Sequence, residues 1–235
     1  MQIIRNYQNY QSRDNLAITL GNFDGIHLGH QKILSASAKI AQTEKLKFAV
    51  VSFNPHPLTI LRNKKDFHIF HLKDKLRFLH RSNADKVFLV KFTKTFSQIS
   101  AQDFLTEILL KKFHVKHIII GHDFIFGKDR QGNAEFLKNN AEKLAYKFTQ
   151  ISAEKHQDSA EIYSSSLIRQ YLSQGKMRKV KELLGRHYFI RQRVIAGDAR
   201  GREMGFATAN FAIKKLHKIK YGVYAVRCEI TGDPK

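Results

Sequence analysis

Four short runs of apolar residues recur along the chain, at 16–20, 48–53, 87–90 and 117–120, with helical spacing between and after them at 28–44, 73–79, 101–113 and 135–145. Runs this short that are apolar on both faces need cover on both sides, and the intervening helices supply it. The pattern predicts an α/β architecture, a parallel sheet with helices on both faces. A sheet of this kind takes its ligand at the carboxyl ends of its strands, where strand order reverses. Polar residues just after each apolar run are therefore the candidates for function.

Size and charge narrow the classes. The 235 residues suffice for one large domain or two modest ones. An apolar fraction of 43% with 11% aromatics can build a core. Lys and Arg number 41 against 20 acids, and the net charge of +21 favours anionic partners such as phosphates, nucleotides, nucleic acids or acidic lipid surfaces. Ten basic residues against three acids fall between Leu61 and Ser100, and a solvated lysine-rich surface is expected there. No recognised nucleic-acid module accompanies them, so no nucleic-acid partner is expected. The single cysteine, Cys228, rules out a disulfide framework and a Cys-based zinc cluster. No secretory signal is visible and no run approaches the roughly 20 apolar residues of a membrane span. A cytoplasmic location without a membrane partner is expected; oligomeric state is not readable.

The expected polar clusters are present. Gly21-Asn22-Phe23-Asp24-Gly25-Ile26-His27-Leu28-Gly29-His30 follows the first run, and Asn54-Pro55-His56-Pro57 follows the second. Gly121-His122-Asp123-Phe124-Ile125-Phe126-Gly127 follows the fourth, and Tyr163-Ser164-Ser165-Ser166-Leu167-Ile168-Arg169 opens another helix. His27 and His30, three apart at a helix start, share one face. Gly29 between them lets a bulky group approach the backbone. Free N–H groups at a helix N-terminus suit phosphate, and imidazoles can donate to charge developing on a phosphoryl group. Two other readings stay open: a zinc pair completed by His56 or Asp24, and two unrelated histidines. Ser164, Ser165, Ser166 and Arg169 fit either a second anion site or an ordinary capped helix. There is no GxxxxGK[ST] loop and no GxGxxG after the first run, which argues against a P-loop NTPase and a dinucleotide dehydrogenase.

Taken in order, GNFDGIHLGHQ, FNPHP, GHDFIFGKDRQG and YSSSLIR resemble the four motifs of the bacterial bifunctional riboflavin kinase/FMN adenylyltransferase (FAD synthetase) family, over about residues 15–170. The resemblance implies a Rossmann-like nucleotidyltransferase domain that transfers AMP from ATP to FMN, giving FAD and pyrophosphate with Mg2+ as helper. By position, His27, His30 and Arg169 take the catalytic roles. Gly21, Asn22, Phe23, Asp24, Gly25, Gly121, Ser164, Ser165 and Ser166 join them in holding ATP. Asn54, Pro55, His56, Pro57, Asp123, Phe124 and Phe126 face the flavin. Ser166 stands where the family more often has threonine and keeps the hydroxyl.

Composition changes near Leu184, and strand-like runs at 188–195 and 221–226 flank a turn-rich 197–210. Domains of 1–184 and 185–235 are expected. The second resembles the opening of the family's riboflavin kinase module, a small β-barrel. Gly205, Thr208 and Asn210 match its ATP motif, and Thr208 and Asn210 its Mg2+ ligands. Ala207 replaces the family's proline and Gln192 a glycine. Only 25 residues follow Asn210, and none matches the family's general-base glutamate; Glu229 lies on a strand run. Little or no kinase activity is expected.

Overall fold

The four apolar runs become four adjacent strands in the middle of one sheet. The computed structural model describes residues 1–153, 162–197, 205–206 and 208–230. The strands are β1 (Gln2–Ile4), β2 (Leu16–Leu20), β3 (Lys47–Phe53), β4 (Lys86–Val90), β5 (Val115–Gly121) and β6 (Lys147–Ile151). Their order is β1-β4-β3-β2-β5-β6, and every pairing is parallel. All five residues of β2 are buried, as a central strand covered on both faces requires.

Alternation along each strand splits the core in two. Leu16, Ile18, Ala49, Val51, Phe88, Ile118 and Ile120 join one cluster, while Ala17, Phe48, Val50, Val87 and Ile119 join the other. The first is covered by Ala101 of α4 (Ala101–Asp103), by the π-helical Phe104–Lys112 that continues it, and by Leu137 of α5 (Ala134–Ala141). Leu34 and Ala41 of α1 (Leu28–Thr43) and Leu79 of α3 (Leu72–His80) cover the second; α2 (Pro57–Leu61) lies between β3 and α3. The helix expected over 101–113 is thus wound mostly with wider turns, ending with Phe113 N donating to Ile108 O at 3.0 Å. A third cluster joins α6 (Ser165–Gln174) and α7 (Met177–Leu184) to Ile69, Phe70, Tyr188 and Phe189.

β1 and β6 were not among the expected strands. Both lie at sheet edges, where exposed residues interrupt the apolar signal. The reverse holds after Gly185. Runs 188–195 and 221–226 form no strands, and an isolated antiparallel bridge between Ile195 and Asn210 is the nearest approach to one. A strand persists when a neighbour takes its backbone N–H and C=O groups, and among the described residues none runs beside these. Tyr221, Val223 and Val226 are 96%, 104% and 74% exposed. Leu216 departs from this: it is 2% exposed and bridges in parallel to His68.

Candidate active site

After β2 the chain turns to β3 on one side, while β5 lies on the other. Strand order reverses here, and the loops leaving β2 and β5 open a crevice. Phe23 and Ile26 take positive φ values of 49° and 41° in the loop after β2. Such a backbone is costly for large side chains and persists where surroundings over-determine it. Phe23 is buried beneath Gly21, where a Cβ would meet its ring at 3.1 Å. Lys75 Nζ secures the loop by donating to the Asn22 carbonyl at 3.1 Å and to Ser52 Oγ at 3.0 Å. Burial pushes the pKa of Lys75 down to about 8. Within a basic run expected to be a solvated face, this residue turns inward.

His27 is the N-cap of α1, its Nδ1 accepting from His30 N at 3.3 Å. The two rings stack with centroids 3.7 Å apart. A Cβ on Gly29 would meet His27 Nδ1 at 3.2 Å and Tyr163 Cβ at 3.4 Å, so glycine lets α1 start close against both. Burial, then Arg186 and Arg169, lower the His27 pKa to about 4. Burial, then His27 and Lys75, hold His30 well below its ordinary value. Both rings are neutral at pH 7. With Nδ1 of His27 accepting, its proton sits on Nε2, so the ring is a neutral donor. His56 repeats the device as N-cap of α2: Nδ1 accepts from Leu58 N at 3.1 Å, and burial, then His68, Arg169 and Lys75, lower its pKa to about 3.

The second helix start lies across the crevice. Ser164 caps α6 by accepting from Leu167 N at 3.2 Å, and Ser165 Oγ donates to the Asp24 carbonyl at 2.8 Å. Arg169 donates through a terminal nitrogen to Asp24 Oδ2 at 2.5 Å and through Nε to the Phe67 carbonyl at 2.7 Å. Asp24 also accepts from Ile69 N at 3.1 Å. Arg186 holds the far side of the loop, donating to the carbonyls of Gly25 at 2.6 Å and Ile26 at 2.9 Å.

Both helix starts line one cavity of about 910 Å3. Gly21, Asn22, Phe23, His27, His30, His56, Pro57, Gly121, Asp123, Phe124, Phe126, Ser164, Ser165, Ser166 and Arg169 are in its wall. Asp24 and Gly25 were expected there and are not: the carboxylate is turned onto Arg169 and Ile69, and Gly25 is buried behind it. Asn54 and Pro55 also lie outside the lining; Gly205, Thr208 and Asn210, expected in a separate kinase-like site, are all three exposed. The zinc alternative finds no support in the geometry, for no three His, Cys, Asp or Glu among the described residues are grouped to hold a metal ion.

Beyond the polar end runs an aromatic wall that sequence reading missed in large part. Phe53, Phe92, Phe96 and Phe104 line the cavity with Phe124 and Phe126. Successive centroids from Phe53 to Phe92, Phe96, Phe104 and Phe126 are 5.8, 5.5, 6.0 and 5.5 Å apart, and Phe124 stacks on Phe126 at 5.8 Å. Two of the missed rings carried a usable signal, since Phe53 ends β3 and Phe92 follows β4, the same strand ends that supply the polar loops. Arg186, Lys75 and the Asp24–Arg169 pair gave none, because each acts on a partner distant in sequence.

A doubly covered parallel sheet, with paired imidazoles and a second helix start around one crevice, defines an α/β protein of nucleotidyltransferase type. Residues 9–167 match the FAD synthetase family and residues 184–235 match the riboflavin kinase family. The chain belongs to the FAD synthetase family. It is 42% identical to the bifunctional riboflavin kinase/FMN adenylyltransferase of Buchnera aphidicola subsp. Acyrthosiphon pisum (strain APS), over 97% of this chain and 72% of that protein. The protein of the same description from Escherichia coli (strain K12) is 33% identical over 99% of this chain and 74% of its own length. A solved structure described as a macrolide-efflux protein from Streptococcus pneumoniae superposes with a TM-score of 0.84 at 29% identity, covering 95% of this chain and 73% of that one. Among the described residues no helix is long and apolar enough to cross a membrane.

Proposed function

We propose that this chain makes FAD by transferring AMP from ATP to FMN, and that it does so in the cavity between the starts of α1 and α6. One observation carries the reading: the stacked His27–His30 pair and the Ser164–Arg169 helix start line a single cavity whose other end is aromatic. A triphosphate suits the polar end, and a planar flavin suits the rings.

In the reaction a phosphate oxygen of FMN forms a bond to the α-phosphorus of ATP, the bond from that phosphorus to the bridging oxygen breaks, and pyrophosphate leaves. Such an in-line displacement needs positioning and charge stabilisation more than a strong base. His27 and His30 are neutral donors, held in place before substrate arrives, for the charge on five-coordinate phosphorus. Their stacking fixes the angle between the two rings. Ser164, Ser166 and the free first-turn N–H groups of α6 receive the β- and γ-phosphates, while the Ser165 hydroxyl, donating to the Asp24 carbonyl, ties that helix start to the loop after β2. Arg169, anchored to Asp24 and the Phe67 carbonyl, presents its remaining donors at a fixed position. Phe124 and Phe126 stack the flavin, with His56, Pro57 and Asp123 at its margin.

The cavity's donors are imidazoles, hydroxyls and the guanidiniums of Arg130 and Arg169, a set for anions, and Asp24 is spent on Arg169. Mg2+ therefore fits as an ion carried by the triphosphate, where it neutralises phosphate charge, with exposed Asp123 and Asp129 the lining carboxylates available to its water shell. We divide the chain into an adenylyltransferase domain, 1–184, and a riboflavin kinase-like segment, 185–235, with a cytoplasmic setting. Thr208 and Asn210 would hold the kinase's Mg2+. Incubating the folded chain with FMN, labelled ATP and Mg2+ should give FAD and pyrophosphate in equal amounts. A folded, FMN-binding sample that releases neither would end this reading.

A further inference from the structure

The loop 66–69 is gripped from two sides. On the site side, Arg169 Nε donates to the Phe67 carbonyl at 2.7 Å, Asp24 accepts from Ile69 N at 3.1 Å, and His56 lies edge-on to the Phe67 ring at 4.9 Å. On the other side the C-terminal segment runs parallel to the loop. Lys215 N donates to Asp66 Oδ1 at 2.8 Å, His68 N to the Lys215 carbonyl at 3.2 Å, and His217 N to the His68 carbonyl at 2.8 Å. The same segment clasps the helix that carries Arg169. Lys220 N donates to the Leu172 carbonyl at 3.0 Å, and Ser173 Oγ lies 2.8 Å from His217 Nε2. Leu216, buried between these contacts, fastens a stretch whose neighbours are largely exposed.

We propose that residues 215–220, from the kinase-like part of the chain, are a strap that positions Arg169 for adenylyl transfer by holding loop 66–69 and α6 together. Arg169 takes its place from two acceptors, Asp24 and the Phe67 carbonyl, and the second is only as fixed as the loop bearing it. Asp24 depends on the same loop through Ile69 N. Leu216, Asp66 and His217 are therefore positioning residues: they touch no substrate, and they set where a guanidinium stands relative to a triphosphate. Displacement of about 1 Å there is enough to slow a reaction of this kind strongly. The kinase-like segment would thus contribute to the other domain's chemistry.

The inference rests on the adenylyltransferase reading, and its test separates the two. In the full chain, Leu216→Asp should lower kcat for FAD formation roughly tenfold to a hundredfold while KM for FMN stays within about twofold. Asp66 is exposed and has a φ of 49°, so Asp66→Gly removes the acceptor without backbone strain and should lower kcat in the same sense. Asp66→Asn, which keeps an acceptor for Lys215 N, should restore it. Unchanged kcat in folded Leu216→Asp and Asp66→Gly, or a fall that only tracks loss of folded protein, would overturn the strap. If the wild type makes no FAD, the functional reading fails, and NMR decides the strap separately. The Arg169 Nε–H resonance and Ile69 amide exchange should both change in Asp66→Gly and return in Asp66→Asn; if neither moves, the strap is refuted.

Discussion

The crevice between β2 and β5 and the segment after Gly185 both carry recognisable motifs, yet they come to opposite ends. In the crevice, groups that bear on the site are held by packed neighbours: His27 caps a helix, Arg169 holds Asp24, and Lys75 holds the Asn22 carbonyl. In the segment, Thr208 and Asn210 stand exposed, and strand-type residues such as Val223 have no strand beside them among the described residues. A motif specifies which groups are available for chemistry; packed elements from elsewhere in the chain specify where those groups stand. The segment nevertheless contributes through Leu216, at the point where it meets packed elements.

The contrast can be broken most sharply at His30. His30→Ala should cut kcat for FAD formation by about a hundredfold or more, the scale expected for a lost transition-state donor. Its Kd for FMN, read from the flavin's spectral shift, should change less than about twofold. Equal loss of binding and turnover would make His30 a binding residue only.

Acid should separate the regions next. An unfolded histidine binds a proton near pH 6.5, whereas folded His27 refuses one until about pH 4 and His56 until about pH 3. The unfolded chain therefore takes up more protons between those limits. Stability, fully present above pH 6.5, is lost as pH falls toward the folded values, by about 3 kcal/mol for His27. His27→Gln should flatten the fall in Tm between pH 7 and pH 4, and an unaltered slope would remove burial of that ring as the cause. A smaller effect is expected at the aromatic end. Phe124→Ala should raise KM for FMN about threefold to tenfold with kcat little changed, as loss of one ring contact implies. Smallest of all, Asn210→Ala should leave FAD formation within about twofold, because that side chain lies outside the cavity lining. A larger loss there would erase the distinction between the two regions.

Much of this was legible in the chain. Apolar runs on both faces gave the four central strands, and capping residues such as Ser164 gave helix starts. Edge strands β1 and β6 escaped because one residue in three of β1 is buried and none of β6 is. Local pattern misread 188–195 and 221–226 for the opposite reason: strand propensity was present, and among the described residues pairing goes no further than the single bridge from Ile195 to Asn210. Within the site, local motifs named the histidines and serines. They could not show that Asp24 turns toward Arg169, 145 residues away, or that Lys75 leaves its basic surroundings to hold a carbonyl. Such pairings are decided by tertiary packing, which single-sequence periodicity does not encode.

The central claim is that two helix starts share one triphosphate while FMN approaches from the aromatic end. A crystal structure with FMN and an ATP analogue whose α–β bridge cannot be cleaved tests it directly. The account places the α-phosphate within hydrogen-bonding distance of His27 and His30, the terminal phosphates at Ser164–Ser166 and Arg169, and the flavin against Phe124 and Phe126. A nucleotide bound away from the paired imidazoles, or a flavin seated outside this cavity, would contradict it.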